Sequence, residues 1–499
     1  AGEVLGFSFV YSGNFLAQVE VDTYDVTRVM MGIHPHCFSW SLEKGESFQT
    51  PEVVMVYSND GLNKMSQTYH KLYQRRLARG KYRDQVRPIL VNNWEATYFD
   101  FDEEKIMDIA GTAQKLGIEL FVLDDGWFGK RNNDVAGLGD WYPNLQKLPS
   151  GISGLSRKIN NLGMKFGLWF EPEMVNKNSD LYRNHPQWIL ETPNRPSSHG
   201  RNQFVLDFSN PEVVIYVYNM MTEVIDKANI SYIKWDMNRC MTEVYSSCHD
   251  SESQGRVMHE YILGVYQLYE LLTSRFPEIL FESCASGGAR FDPGMMYYAP
   301  QCWTSDDTDA LERLKIQYGT SMVYPVSSLG AHVSAAPNHQ LLRNTPIETR
   351  ANVAYFGTFG YELDLNKLSM DEQIKVKEQI TFMKDYREII QFGTFYRLKS
   401  PFEGNETVWM VVSQDQNTAI IGYYRTLQEV NVGYRRVKLL GLDSDKEYHV
   451  NLNNTAHYGD ELMNLGLITT DSSCGENKEK YDGTNGDYLS RIYVLKAKI

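Results

Sequence analysis

The chain has 499 residues, 42% hydrophobic and 22% charged, a balance that excludes a wholly disordered chain, a collagen and a coiled coil and leaves room for about three domains. Lys and Arg number 49 against 63 Asp and Glu, a formal net charge of −14, so the basic footprint of a nucleic-acid binder is missing. The longest uncharged run, residues 316–342, carries Gly, Pro, His, Asn and several Ser and is no membrane span, and the six scattered cysteines, with no CxxC pair, make no disulfide scaffold.

The first elements alternate with period two. Phe7-Ser8-Phe9-Val10-Tyr11 and Leu16-Ala17-Gln18-Val19-Glu20-Val21 read as strands separated by the turn residues Ser12-Gly13-Asn14. A helical stretch near Leu62 to Arg79 follows. From Pro88 to about Phe395, apolar strand-like runs alternate with helices that stop at Gly. Strands are expected at Ile89–Asn92, Ile118–Leu123, Met164–Phe170, Gln203–Asp207, Tyr232–Asp236, Ile279–Ser283, Gln301–Ser305 and Gly360–Leu363, with Met322–Ser328 as an ambiguous ninth run. Such a series reads as an α/β (β/α)8 TIM barrel, a doubly wound open sheet being the runner-up. A capping box at Ser369 and Glu372 opens the last helix and Gly393 ends it. Beyond Tyr396 the period returns to two, as in Thr407–Val412, Ala419–Tyr424 and Leu489–Val494, which reads as a small antiparallel β-sandwich.

In a barrel the chemistry gathers where the strands end. Here those positions are acidic and aromatic: Trp94, Asp124, Asp125, Trp127, Trp169, Glu171, Asp236, Trp303 and Asp306. Side chains alternate along a strand, so Lys234 and Asp236 share a face, and a carboxylate beside an ammonium is kept ionised, as a nucleophile must be. In Asp306-Asp307-Thr308-Asp309 three close carboxylates repel, which favours a proton on one of them, the state a general acid needs. His34 and His36 have no third partner for a metal, and there is no Walker loop, G-x-S-x-G elbow or H-E-x-x-H motif.

Seven segments in order resemble the α-galactosidases of glycoside hydrolase family 36: Asn93-Trp94-Glu95-Ala96-Thr97, Leu123-Asp124-Asp125-Gly126-Trp127-Phe128, Gly167-Leu168-Trp169-Phe170-Glu171-Pro172-Glu173, Gly200-Arg201-Asn202-Gln203, Lys234-Trp235-Asp236-Met237-Asn238, Cys284-Ala285-Ser286-Gly287-Gly288 and Trp303-Thr304-Ser305-Asp306-Asp307-Thr308-Asp309. The cysteine usage makes a cytoplasmic protein with reduced thiols the default expectation, and the resemblance implies a bacterial-type, retaining exo-glycosidase acting on terminal α-linked galactose, without metal or organic cofactor. It makes Asp236 the nucleophile and Asp306 the acid/base, with Asp307 as the substitute for Asp306. Asp124 and Asp125 would bind the galactose 4- and 6-hydroxyls, Lys234 and Arg201 neighbouring hydroxyls, and Cys284 with the Gly287 backbone the 2-hydroxyl, inside walls made by Trp94, Trp169 and Trp303. It further implies that residues 1–85 are the end of an N-terminal β-sandwich domain plus a linking helix, 86–395 the catalytic barrel and 396–499 the C-terminal β-sandwich. A homo-oligomer, a tetramer in the family, is expected, with an α-galactoside oligosaccharide and neither nucleic acid nor membrane as partner. An α-N-acetylgalactosaminidase or galactosyl transferase on the same scaffold stays open, as does a carbohydrate-binding protein without activity, which would have lost one of the two carboxylates.

Overall fold

The structure, a computed structural model, describes residues 2–430, 433–452, 454–469 and 486–498. Its centre is a closed parallel barrel of eight strands in chain order: β1 (Leu90–Asn92), β2 (Leu120–Leu123), β3 (Lys165–Phe170), β4 (Tyr232–Trp235), β5 (Leu280–Ser283), β6 (Gln301–Trp303), β7 (Leu329–Ser334) and β8 (Thr358–Glu362). Apart from the exposed first residue of β3, every strand residue is buried, as expected where helices cover the outside and side chains fill the lumen. Leu90, Leu120, Val122, Tyr232 and Leu280 pack with Tyr82 inside the barrel. Alternation then carries the following residues, Asn92, Asp124 and Lys234, to the upper lumen.

The barrel is the expected one, with one strand reassigned. Gln203–Asp207 is not a barrel strand. Only Phe204–Val205 is extended, and it pairs antiparallel with Met174–Val175 in the segment beyond β3. A parallel neighbour needs a long crossover, usually helical, and between these two short strands lies only the five-residue α-helix Asp180–Asn184 with a single 3₁₀ turn. The missing place is taken by β7, directly after the ambiguous run. Its sequence, Leu-Gly-Ala-His-Val-Ser, is poor in β-formers. Yet Gly330 is required there, because a Cβ would come within 2.9 Å of the Cys302 carbonyl oxygen on β6.

Around the barrel, the helix Glu103–Leu116 starts on Asp102, whose side chain accepts the Lys105 N–H, and stops at Gly117 in the left-handed region (φ +94°). The helix Met370–Phe392 opens with the reciprocal Ser369–Glu372 capping box and ends at Gly393. The N-terminal segment forms two separate antiparallel pairs, Val4–Val10 with Glu52–Ser58 and Phe15–Val21 with Thr27–Ile33. The helix Gly61–Leu72 follows them and is tied to the end of the barrel region through Asn63 and Gln67, whose amides donate to the Arg397 and Phe395 carbonyls. Beyond the barrel, a six-stranded antiparallel sheet and the short pair Arg436–Val437 with Leu467–Ile468 share one core that includes Val408, Met410, Val437, Leu467 and Tyr493. Of the cysteines, Cys474 lies outside the described residues and the five others are free thiols.

Candidate active site

Register decides which side chains meet at the carboxyl ends of the strands. Lys234 on β4 lies beside Trp169 on β3 and Glu282 on β5. The ladder continues one residue past β4, where the Asp236 N–H donates to the Phe170 carbonyl at 2.8 Å and the Cys284 N–H to the Trp235 carbonyl at 2.7 Å. Asp236 is therefore anchored by its backbone at the barrel mouth. Its carboxylate accepts three N–H donors: Met237 N at 2.8 Å, Asn238 Nδ2 at 2.7 Å and Trp169 Nε1 at 3.3 Å.

Lys234 is buried in the upper lumen, its Nζ 2.9 Å from Asp124 Oδ2 and 5.9 Å above the Trp303 ring. Burial alone would lower its pKa. The surrounding negative groups, Asp124 first, instead hold the ammonium well above its ordinary value. Asp124 also accepts from Asn92 Nδ2 at 2.6 Å and from the Asp125 N–H at 2.9 Å. Asp125 is gripped by Arg131, with Nε to Oδ1 at 2.9 Å and Nη2 to Oδ2 at 2.8 Å, which leaves the remaining lone pairs of this carboxylate to serve a ligand.

Asp306 stands at the exit of β6, with Oδ1 accepting Trp303 Nε1 at 3.0 Å. Desolvation of the carboxyl, followed by the charge of Asp236, pushes its pKa up. The loop that carries it is pinned by the buried Arg313, which donates to the Gly330 carbonyl at 2.8 Å, the Ser305 carbonyl at 2.6 Å and the Asp307 carbonyl at 2.7 Å while lying 4.3 Å from the Trp303 ring. The other two acids of the run are occupied. Asp309 caps the helix Ala310–Thr320 and pairs with Arg343, and Asp307 accepts the Asp309 N–H at 3.1 Å.

The 284–288 turn completes the floor. Gly287 adopts φ +87° and bridges to Ser305, so its backbone lies directly against the Asp306 loop. Burial pushes the Cys284 thiol well up, which leaves it a neutral group and no nucleophile. Trp303 packs on His332 at 4.4 Å, and His332 Nδ1 contacts Glu362 at 3.0 Å.

Asp124, Lys234, Asp236, Trp169, Cys284, Gly287, Trp303 and Asp306 form one connected set around the mouth of the barrel. Trp94 stands beyond β1, half-buried, its ring edge-on to Tyr98 and Phe99. Arg201 lies at a left-handed turn (φ +52°), exposed, with no hydrogen bond or ion pair to a described residue. Trp127, read as a rim residue, is core: it is fully buried and its Nε1 donates to the Trp169 carbonyl. The sequence reading missed Asn92, Arg131, Asn238, Ser286 and Arg313, all of which orient a functional side chain or its loop. Asn92, the last residue of an expected strand, and Asn238 and Ser286, inside the quoted motifs, could have been found; Arg131 and Arg313 carry no local signal.

The Melibiase family model matches residues 47–393, the glycosyl hydrolase family 36 C-terminal domain residues 406–495 and the family 36 N-terminal domain residues 1–43. The chain is 57% identical over 496 residues to α-galactosidase AgaA of Geobacillus stearothermophilus, covering 99% of this chain and 66% of that protein. It is 46% identical over 497 residues to α-galactosidase Mel36A of Lactobacillus acidophilus, again covering 99% of this chain and 66% of the relative. The chain thus spans just under two thirds of the length of these curated relatives. The crystal structure of AgaA superimposes with a TM-score of 0.96, covering 100% of this chain and 67% of that one, and variants of AgaA have been solved with raffinose and with stachyose. The chain belongs to glycosyl hydrolase family 36.

Proposed function

We propose that the protein hydrolyses terminal α-linked galactose by double displacement with retention. The observation that carries this reading is the pair of carboxyl groups at one barrel mouth: Asp236, held by three N–H donors beside Lys234, and Asp306, desolvated and pushed toward its protonated form by the charge of Asp236. Asp236 attacks the anomeric carbon while Asp306 gives its proton to the glycosidic oxygen, the C–O bond breaks and the aglycone leaves as an alcohol. The Asp306 carboxylate then takes a proton from water, whose oxygen displaces Asp236 and releases the sugar, and Asp306 is protonated again. The names of the relatives, and their complexes with raffinose and stachyose, support galactose-ended oligosaccharides as substrates. Asp124, Asp125, Lys234 and Arg201 supply directed acceptors and donors for the sugar hydroxyls, and Trp94, Trp169 and Trp303 supply apolar walls.

The test uses an aryl α-galactoside. NMR during the first turnovers is expected to show α-galactose as the first product, and Asp236→Ala is expected to be inactive until azide restores turnover as the β-galactosyl azide. β-Galactose as the first product, or full activity in Asp236→Ala, refutes the assignment.

A further inference from the structure

Glu171 follows β3 and is wholly buried beside Asp236. Its Oε1 accepts the backbone N–H of Asn238 at 2.5 Å and its Oε2 the Gln203 Nε2–H at 2.9 Å. Asn238 in turn donates its Nδ2–H to Asp236 Oδ2 at 2.7 Å, and its Oδ1 accepts the Ser286 hydroxyl at 2.8 Å. Residues 237–253, which lead away from the barrel mouth, contain no helix or strand, so no ladder holds Asn238 in place. Glu173, two residues on, shows what a structural acid looks like here. It is bound twice by Arg290, at 2.6 and 2.9 Å, and accepts from Tyr261 and Trp235. Glu171 has no such cation: among the described residues it makes no ion pair, and the charged groups facing it are Asp236 and the mutually paired Arg131 and Asp125. Burial, and then the Asp236 charge, raise its pKa well above the ordinary carboxyl range.

A buried carboxyl group without a cation is costly, and an apolar side chain would fill the same space. What an apolar side chain lacks is the acceptor for the Asn238 N–H. We propose that Glu171 is a positioning residue that clamps the backbone of Asn238, so that the Asn238 amide fixes the orientation of the Asp236 carboxylate. The inference rests on Asp236 being the nucleophile. Gln203 gives it a further handle. Gln203 Oε1 is buried without a partner among the described residues, so in Glu171→Gln the Gln203 amide can turn and accept from the new NH2. The amide carbonyl of the variant still receives the Asn238 N–H.

The experiment compares Glu171→Ala and Glu171→Gln on a 4-nitrophenyl α-galactoside, with the dissociation constant of galactose measured by calorimetry. Displacing a reacting group by about 1 Å costs on the order of 100-fold, so Glu171→Ala is expected to lose about that in kcat with KM and galactose affinity changed by less than about threefold. Glu171→Gln is expected to stay within about fivefold of the parent. Equal losses in both variants, or a loss carried by KM and galactose affinity, overturn the proposal. The crystal structure of Glu171→Ala answers without turnover: Asn238 is expected to shift and its amide to leave Asp236, and an unmoved Asp236 overturns the proposal. If the parent hydrolyses no aryl α-galactoside, the proposed function fails, while the crystallographic comparison still decides whether Glu171 positions Asp236. If Glu171→Ala does not fold, Glu171→Asp, which withdraws the acceptor by one methylene, takes its place with the same expectations.

Discussion

Gly287 sits where two functional loops touch, and replacing it with alanine separates two costs. The first is conformational: at φ +87° an L-residue is strained, by about 1–2 kcal/mol. The second is steric. A Cβ built on Gly287 lies 2.6 Å from Ser305 Cα and 2.8 Å from the Asp306 nitrogen, and both are backbone atoms that cannot rotate away. Relieving such an overlap costs a further ~1–3 kcal/mol, so Gly287→Ala is expected to destabilise by about 2–5 kcal/mol. The relief must move the Asp306 backbone, and kcat should fall by about 100-fold for a shift of about 1 Å. Gly163→Ala is the control: it has a similar φ of +84° and nothing within 4 Å of its Cβ, so it incurs only the strain and leaves kcat alone. Denaturation midpoints and kcat for both variants are the measurements. If the two variants lose the same stability, or if Gly287→Ala keeps the parental kcat, the close approach of Gly287 to the Asp306 loop is not what shapes the site.

Asp236→Asn removes a negative charge that raises the Asp306 pKa, so carbon NMR of the labelled carboxyl should show Asp306 titrating lower than in the parent; an unmoved or higher value counts against the coupling. Arg201→Ala removes an exposed side chain with no partner among the described residues, so the thermal midpoint should not move, while loss of one charged hydrogen bond to sugar should raise KM about tenfold with little change in kcat. His70 is buried, its Nε2–H donating to the Ser321 carbonyl at 2.8 Å, and burial lowers its pKa to about 4. The unfolded chain therefore binds a proton near pH 6.5 that the folded chain refuses until about pH 4, and stability is lost as pH falls through that window, by on the order of 3 kcal/mol at its lower end. His70→Gln should flatten the pH dependence of the denaturation midpoint between those values; an unchanged slope would remove His70 as its cause.

The parts of the fold legible from sequence were those with a local cause. Leu120–Leu123 is an apolar run between a Gly C-cap and an acidic loop, and the last helix carries a capping box whose two partners are three residues apart. β7 was obscured because its reason for containing Gly330 is the carbonyl of Cys302 on the neighbouring strand, a contact 28 positions away in sequence. The opposite error at Gln203–Asp207 has the same origin. Those residues have the composition of a strand, but with only the five-residue helix Asp180–Asn184 and one 3₁₀ turn before them they pair with Met174–Val175 outside the barrel. The site divides in the same way. The candidate site residues lie in motifs at strand exits, whereas Arg131 and Arg313, which hold Asp125 and the Asp306 loop, act from loops and helices where an arginine has no distinguishing neighbours.

The three acids after Trp303 show that the cause expected from crowding is not the one the structure supplies. Crowding of Asp306, Asp307 and Asp309 predicts that one of them keeps a proton through mutual repulsion. Asp309 is neutralised by Arg343 and by two helix N–H donors, and Asp307 is turned to the Asp309 N–H, so neither is aimed at Asp306. What raises the Asp306 pKa is desolvation at the barrel mouth, then the charge of Asp236 and that of Glu362, with Lys234 and the Trp303 N–H opposing. The consequence is a coupling between the two carboxyl groups themselves. In the proposed double displacement, Asp306 favours its proton while Asp236 is an anion; esterification of Asp236 would remove that charge, lower the Asp306 pKa and suit the same group to draw a proton from water. The change of role that this proposed mechanism requires would then need no movement of the loop, which fits a loop that Arg313 fastens by three backbone carbonyls.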